Sequence, residues 1–248
     1  MTLQTAALTR PMPPDNIIEF NFRREEPVPA QRRSTSLFTS DGRPKPSAAD
    51  PIRSLADIKA MQTYYQSLGQ IRNYTIFTLG ILFGLRAGDL LALRWHHIYN
   101  PDYTFKPHCD VIESKTRKSN NPAITADIQA VITAYRDTLP ADIGYHDPVF
   151  ISNKRDEAGN YRPITLSALN RILKAAAKGV GLTAHISSHS LRKTFAYQLL
   201  KQNPGSDEAK FALQKMLNHD DFKTTLTYCG LAQDAIDSYR SALGEVIL

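Results

Sequence analysis

The carboxy-terminal part of the chain contains two short stretches that combine phosphate-binding side chains with a tyrosine. The first stretch is HSLRKTF at residues 189–195, and the second is LNHDDFKTTLTY at residues 217–228. The second stretch ends at Tyr228, nine residues after His219. Histidine and arginine donate hydrogen bonds to phosphate oxygens, and a tyrosine hydroxyl can act as a nucleophile. The two stretches therefore describe a phosphate site that carries its own nucleophile.

A third stretch, GLRAGDLLALRW at residues 84–95, supplies a further arginine. Residues three apart on a helix project from one face, as His189 and Arg192 would. The same spacing separates Arg86 from Asp89. A guanidinium presents a planar fork that matches two phosphate oxygens. Two arginines from different segments can therefore clamp one phosphate and neutralise the charge that grows on its oxygens during displacement.

These three stretches resemble the signature of the tyrosine recombinases, also called the phage integrase family. The resemblance runs from about residue 51 to the end of the chain. It implies a mainly helical α+β catalytic domain with a small antiparallel sheet. It also implies a site-specific recombinase that cuts and rejoins DNA through a covalent 3′-phosphotyrosine. A tyrosine ester keeps the energy of the phosphodiester bond, so the strand can be resealed without ATP.

The resemblance assigns the phosphate-binding roles to residues of this sequence. Arg86 and Arg192 would bind the scissile phosphate, and His219 would donate a hydrogen bond to one of its oxygens. Asp89 would support the site by holding Arg86 in place. The chain departs from the family pattern at Asn218, where glycine is common, and at Asp89, where glutamate is commoner.

The resemblance also assigns the nucleophile and the proton-transfer groups. Tyr228 would attack phosphorus, and His189 would act as base or positioning group for the tyrosine. The stretch ESKTRK at residues 113–118 is similar to the lysine-bearing β-hairpin of the family. Lys115 would give a proton to the departing 5′ oxygen. Lys118 is the alternative, because the register of a hairpin is hard to fix from one sequence.

Two other functions are compatible with the same residues. A single-site enzyme of the type IB topoisomerase kind would relax DNA with a similar set of side chains. A DNA-binding regulator could keep the fold and no longer cut. The regulator is disfavoured because all six residues of the signature are present, namely Arg86, Lys115, His189, Arg192, His219 and Tyr228.

Residues 1–50 differ in composition from the rest of the chain. They hold seven of the 15 prolines, two Arg-Arg pairs and a Ser/Thr run, with little apolar periodicity. Such a stretch buries too little apolar surface to offset the entropy of ordering it. We therefore predict a flexible basic arm over residues 1–50 and one catalytic domain over residues 51–248. An arm of about 50 residues is too short for the separate helical core-binding domain that most family members carry.

Charge and composition agree with a DNA partner. The formal net charge is +6 and the isoelectric point is near 9.3, which suits a polyanion because each neutralised phosphate releases counterions. Two cysteines suggest a reducing compartment, and the longest apolar run, residues 74–85, is too short to span a bilayer. We expect a cytoplasmic, nucleoid-associated protein.

Partners and cofactors follow from the resemblance. The implied partner is double-stranded DNA, bound by a homotetramer on two DNA sites with an accessory DNA-bending protein. No cofactor or metal is expected, because the sequence has no Gly-rich phosphate loop, no paired carboxylates for Mg²⁺ and no metal-spaced Cys/His set.

Apolar residues recur at helical spacing after residue 50. Ser54 has the features of an N-cap for a first helix that ends at Gly69. The second helix, residues 71–82, is apolar nearly all round and is predicted to be buried. Further helices are predicted at residues 87–93, 127–138, 165–178, 190–201, 206–217, 221–228 and 232–243. Strands are predicted at residues 108–113 and 122–125, paired across the polar turn 115–121, and at 148–151.

Overall fold

A computed structural model describes residues 49–218 and residues 230, 234, 237, 238, 240 and 241. The described helices are α1 (Leu55–Ser67), α2 (Ile71–Phe83), α3 (Ala87–Leu91), α4 (Ala126–Arg136), α5 (Leu166–Gly179), α6 (Ser188–Gln202) and α7 (Asp207–Met216). Two short strands, β1 (Ile151–Arg155) and β2 (Tyr161–Pro163), form an antiparallel sheet. The predicted fold class, mainly helical α+β with a small antiparallel sheet, is confirmed.

Hydroxyl side chains cap the helices where the sequence predicts helix starts. Ser54 accepts hydrogen bonds from the backbone N–H groups of residues 56 and 57 at the start of α1. Thr165 and Ser206 do the same for α5 and α7. Each cap satisfies backbone donors that the first turn of a helix leaves without a partner.

Helix α2 lies at the centre of the domain and packs against α1, α4 and α6. Its side chains are buried nearly all round, as predicted. Gly80 permits the close approach of α6, because a Cβ atom at this position would lie 2.5 Å from Leu191 Cδ1. The α2–α6 contact fixes the distance between the two segments that carry the predicted arginines.

The segment from His108 to Ala123 folds back on itself as predicted, but it does not form continuous strands, and Ser119, which was expected in the turn, takes part in the pairing. Bridges join His108 to Ala123 and Ile112 to Ser119. The ladder is incomplete because Pro122 has no N–H, and the N–H of Val111 is bonded to a side chain instead of a facing carbonyl. Residues 114–116 form the turn, so Lys115 lies where the sequence predicts it.

The second hairpin differs more from the prediction. The strand predicted at residues 148–151 begins only at Ile151, and Pro148 makes an isolated bridge with Arg94. Its partner β2 was not predicted, because three residues ending in proline give no strand signal. Gly159, at φ 84°, lies in the connecting turn.

The described chain begins with residues that pack against α6. Ala49 is buried, and Asp50 exchanges two hydrogen bonds with the backbone of His185. The N–H of Ile52 donates to Thr194 Oγ1 at 2.8 Å. Residues 49 and 50, which the sequence assigned to the arm, thus contact the domain. Residues 1–48 and the predicted helix at 221–228 lie outside the described residues, while those described within 232–243 are helical.

Among the described residues, no helix combines the length and the apolar character needed to cross a membrane.

Candidate active site

Arg86 follows a turn that only glycine can form at this place. Gly84 ends α2 in the left-handed conformation at φ 58°. A Cβ atom at Gly84 would lie 2.4 Å from the ring of Phe195 on α6. Backbone conformation and close packing therefore both require glycine. The turn delivers Arg86 to the start of α3 beside α6, with 24% of its side chain exposed.

Arg192 lies on α6 and is only 3% exposed. Its Nη1 donates to the carbonyl of Gly84 at 2.8 Å and to Glu113 Oε1 at 3.3 Å. Its Nη2 donates to the carbonyl of Leu217 at 2.7 Å. The guanidinium thus joins three segments: the end of α2, the 108–123 hairpin and the end of α7. The sequence predicted that Arg86 and Arg192 meet, and the structure brings them to one carboxylate.

That carboxylate belongs to Glu113, which has no solvent exposure. Oε2 accepts hydrogen bonds from Arg86 Nη1, from Thr116 Oγ1 at 2.6 Å and from Asn218 Nδ2 at 2.9 Å. Oε1 accepts from Asn120 Nδ2 at 3.0 Å as well as from the second arginine. Burial alone would raise the pKa of Glu113, but these hydrogen bonds outweigh it and lower the pKa to about 2.

Sequence reasoning missed Glu113. It stands at the head of ESKTRK, where a carboxylate beside several cations is typical of an exposed, solvated turn. A weak signal was available in its alternation with Val111, which is also buried, because side chains two apart on a strand share one face.

Asp89 does not make the contact that the sequence suggested. We expected it to hold Arg86, but the carboxylate that contacts Arg86 is Glu113. Asp89 is buried, and its Oδ1 accepts a hydrogen bond from the backbone N–H of Ser114 at 2.9 Å. Its Oδ2 has no hydrogen-bond partner among the described residues. Asp89 therefore anchors the turn that carries Lys115, one residue further along the chain.

Lys115 and Lys118 lie on the same exposed turn. The turn is closed by the N–H of Glu113, which donates to the carbonyl of Lys118 at 3.0 Å, and by the N–H of Arg117, which donates to the carbonyl of Glu113 at 2.8 Å. Arg117 has φ 57°, an uncommon conformation for a residue with a side chain. Lys115 is at the tip of the turn, and the choice between the two lysines stays a prediction.

Of the remaining predicted residues, the structure describes His189, which lies at the start of α6. His189 is exposed in the first turn of α6, three residues before the buried Arg192. His219 and Tyr228 lie outside the described residues. Asn218, the residue before His219, is described and adopts φ 51°. Asparagine tolerates this left-handed conformation better than most residues with a side chain, which explains how it replaces the glycine common in the family.

In the described part of the chain, no group of three or more His, Cys, Asp or Glu side chains is arranged to hold a metal ion.

Comparison with known sequences gives a consistent result. Residues 54–234 match the profile described as "Phage integrase family". The "Probable integrase/recombinase YoeC" of Bacillus subtilis (strain 168) is 32% identical over 184 residues, which cover 74% of this chain and 91% of the relative. The "Tyrosine recombinase XerC" of Rickettsia canadensis (strain McKiel) is 26% identical over 159 residues, which cover 64% of this chain and 47% of the relative. The chain thus spans about half the length of this second relative.

Solved structures share the fold. A crystal structure of XerA recombinase matches with a TM-score of 0.57 at 21% identity, covering 79% of this chain and 66% of that one. The XerH site-specific recombinase bound to a palindromic difH substrate, in a post-cleavage complex, matches with a TM-score of 0.56 at 17% identity, covering 78% and 53%.

Proposed function

Because the chain belongs to the phage integrase family of tyrosine recombinases, we propose that it is a site-specific DNA recombinase that works through a 3′-phosphotyrosine. One observation carries the proposal. Arg86 and Arg192 come from distant parts of the sequence and meet beside the turn that bears Lys115. Two guanidinium groups at one point suit a phosphodiester, whose charge grows on the oxygens as the displacement proceeds.

The reaction that we propose exchanges one phosphate ester for another. The hydroxyl oxygen of Tyr228 attacks phosphorus, and its proton passes to His189 or to water. The bond between phosphorus and the 5′ oxygen breaks, and Lys115 gives that oxygen a proton. The arginines and His219 bind the non-bridging oxygens. A 5′ hydroxyl of a partner strand then attacks the phosphotyrosine and releases Tyr228.

This scheme needs neither ATP nor a metal ion. The phosphotyrosine conserves the energy of the broken ester, and the charges on the phosphate are met by side-chain cations. We further propose double-stranded DNA as the partner, a homotetramer on two DNA sites, and an accessory DNA-bending protein. The basic arm, now limited to residues 1–48, would add electrostatic affinity for phosphates without joining the active site.

Covalent capture tests the proposal and identifies the DNA site in the same experiment. The purified chain is incubated with sheared DNA from its own host in excess EDTA and without ATP, and the reaction is stopped with SDS. Protein-linked fragments are then recovered and sequenced. We expect adducts at a recurrent sequence with the wild-type chain and none with Tyr228→Phe, which keeps the ring and removes the attacking oxygen.

Other outcomes would contradict the proposal in distinct ways. An adduct that survives in Tyr228→Phe would exclude Tyr228 as the nucleophile, and a strict requirement for Mg²⁺ would indicate a metal nuclease. A nicked substrate with two copies of the recovered site separates the related enzymes. Strands joined between sites support a recombinase, whereas relaxation at one site supports a topoisomerase. Binding without any adduct supports a regulator.

A further inference from the structure

We propose that Glu113 is a positioning residue, an internal carboxylate that holds Arg86 and Arg192 at a fixed separation for one phosphate. The proposal rests on the recombinase function given above, because it assumes that the two arginines bind the scissile phosphate. It concerns a residue that donates nothing to the phosphate itself. Its effect on the reaction would pass through the two guanidinium groups.

Electrostatics require an anion at this place. Arg192 is almost completely buried and shares a carboxylate with the partly exposed Arg86, so two like charges are held beside one anion. Repulsion between unpaired buried charges is costly, and removal of one partner leaves the other uncompensated. Glu113 contributes one negative charge against two positive charges. The three side chains then keep a net charge of +1, which matches the single negative charge of a phosphodiester.

The hydrogen bonds of Glu113 indicate that it holds the two arginines permanently and does not merely fill the phosphate site while DNA is absent. An ionised carboxylate offers about four lone-pair positions. Five donors reach Glu113, and they come from the side chains of Arg86, Thr116, Asn120, Arg192 and Asn218. A carboxylate that moved aside for phosphate would leave the donors of Thr116 and Asn218 without their acceptor, at a cost for each. We therefore infer that Glu113 stays in place when DNA binds.

The backbone around Glu113 indicates the same role. Two of the three non-glycine residues with positive φ in the described chain make hydrogen bonds to Glu113. Asn218 donates through its side chain to the carboxylate at 2.9 Å, and Arg117 donates through its backbone N–H to the backbone carbonyl of Glu113 at 2.8 Å. Uncommon backbone conformations persist where the surroundings determine them strongly. Glu113 thus connects the lysine turn, both arginines and the residue that precedes His219.

Asn218 provides the sharpest test, because substitutions can separate the effect of its backbone conformation from the effect of its side-chain hydrogen bond. Asn218→Gly suits φ 51° and removes only the hydrogen bond to Glu113. Asn218→Asp is close to isosteric, tolerates the same conformation, and places a second carboxylate against the first. Glu113→Gln keeps the shape of the side chain but replaces one acceptor by a donor that faces other donors.

The experiment measures three quantities for each variant on the recovered DNA site: the single-turnover rate of adduct formation at saturating DNA, the Kd for that DNA, and the thermal melting midpoint. Glu113→Gln should lower the rate about 10²-fold, because a displacement of about 1 Å at a catalytic group has that effect. The Kd should change by less than about threefold, since most affinity comes from phosphate contacts elsewhere. Glu113→Asp keeps the charge and should recover part of the rate.

Glu157→Gln is the matched control, because Glu157 is an exposed carboxylate in the turn between β1 and β2. It makes the same change in net charge and should leave the rate unchanged. A Glu113→Gln rate equal to wild type would overturn the proposal. A higher rate with tighter DNA binding would also overturn it, since that result identifies Glu113 as a competitor of phosphate.

If Glu113→Gln fails to fold, the Asn218 variants test whether Glu113 positions the two arginines. We expect a loss of about threefold in Asn218→Gly, the size of one modest hydrogen bond, and a larger loss in Asn218→Asp. Rates equal to wild type in both would overturn the proposal. Failure of the recombinase function is distinguishable, because the wild-type chain itself would then form no adduct.

Discussion

Arg192 and Lys115 are both cations expected at one phosphate, yet they occupy opposite environments. Arg192 is 3% exposed, and its guanidinium is bonded to two backbone carbonyls and a carboxylate. Lys115 lies on an exposed turn whose backbone is anchored by Asp89. A group that must hold one geometry benefits from burial and several bonds, whereas a group that transfers a proton needs access to the departing oxygen. The contrast agrees with the roles that we propose, in which Arg192 holds the phosphate in position and Lys115 transfers a proton.

Arg192→Lys should have the largest effect, because a lysine keeps the charge but cannot reach two carbonyls and a carboxylate together. We expect a loss of about 10³-fold in the cleavage rate, the upper range for removal of one preorganised donor. The melting midpoint should fall as well. Near-normal cleavage would show that burial of Arg192 serves stability alone. The difference in environment between Arg192 and Lys115 would then say nothing about their roles in the reaction.

Lys115→Ala should come next, with a loss of about 10²-fold in the rate, the lower range for a general acid. Its melting midpoint should stay within about 1 °C of wild type, because exposed substitutions change stability little. A substrate with sulfur in place of the bridging 5′ oxygen should restore the rate, since a thiolate leaves without a proton. Lys118→Ala is the matched control, and a larger loss there would transfer the role to Lys118.

Acid should weaken the buried cluster by protonating Glu113. The folded pKa of Glu113, about 2, lies below the ordinary value of 4.5. Its contribution to stability is therefore fully present above pH 4.5 and is lost as pH falls toward 2. In acid titrations of the free energy of unfolding, the difference between wild type and Glu113→Gln should shrink through this interval. A constant difference would mean that Glu113 does not titrate there.

Gly84→Ala tests the glycine turn behind Arg86. Both the left-handed backbone and the contact with Phe195 oppose a methyl group, and we expect a loss of roughly 2–3 kcal/mol in the free energy of unfolding. Gly159→Ala is the control, because Gly159 has φ 84° but open space around its Cα. It should lose only about 1 kcal/mol, from backbone strain. Equal losses would show that the Phe195 contact relaxes without cost.

Arg117→Gly should have the smallest effect. It tests whether the exposed turn contributes to DNA binding in addition to carrying Lys115. Glycine suits φ 57°, so the free energy of unfolding should rise by up to about 1 kcal/mol. Affinity for DNA should fall by a few fold if the guanidinium contacts a phosphate, with a shallower dependence on salt. A gain in stability with no change in affinity would leave the strained conformation of Arg117 without a function in DNA binding.

The sequence predicted those parts of the fold that depend on local chemistry. Ser54 marks a helix start because its hydroxyl caps nearby N–H groups, and α2 is buried because it is apolar on every side. The 108–123 hairpin was expected from its polar turn, but its register was left open, and the turn lies at residues 114–116. Each of these features is set by residues close to one another in the chain.

The sequence could not predict the partner of the arginines. Glu113 stands among cations, and its buried carboxylate is met by Arg86 after α2, by Arg192 on α6 and by Asn218 after α7. These segments are far from Glu113 in the sequence, so no pattern near Glu113 indicates that they contact it. Asp89 bonds to the backbone of Ser114 and not to Arg86, because Arg86 is the extended N-cap of α3 and does not share a helix face with Asp89. The spacing of two residues predicts which way their side chains point if both are helical. The hydrogen-bond partner of each side chain depends on segments that are distant in the sequence.

Arg192 receives its two backbone contacts from Gly84 and Leu217, the residues that cap the carboxyl ends of α2 and α7. The carboxyl end of a helix carries a partial negative charge from its aligned peptide dipoles. Two helix dipoles therefore converge on one guanidinium, and the arginine is held only when both helices are docked. A copy in which α7 has detached would lose half of this arrangement along with the segment that leads to His219. The position of Arg192 thus depends on the docking of α7, so we expect a copy in which α7 has detached to lack a complete phosphate site.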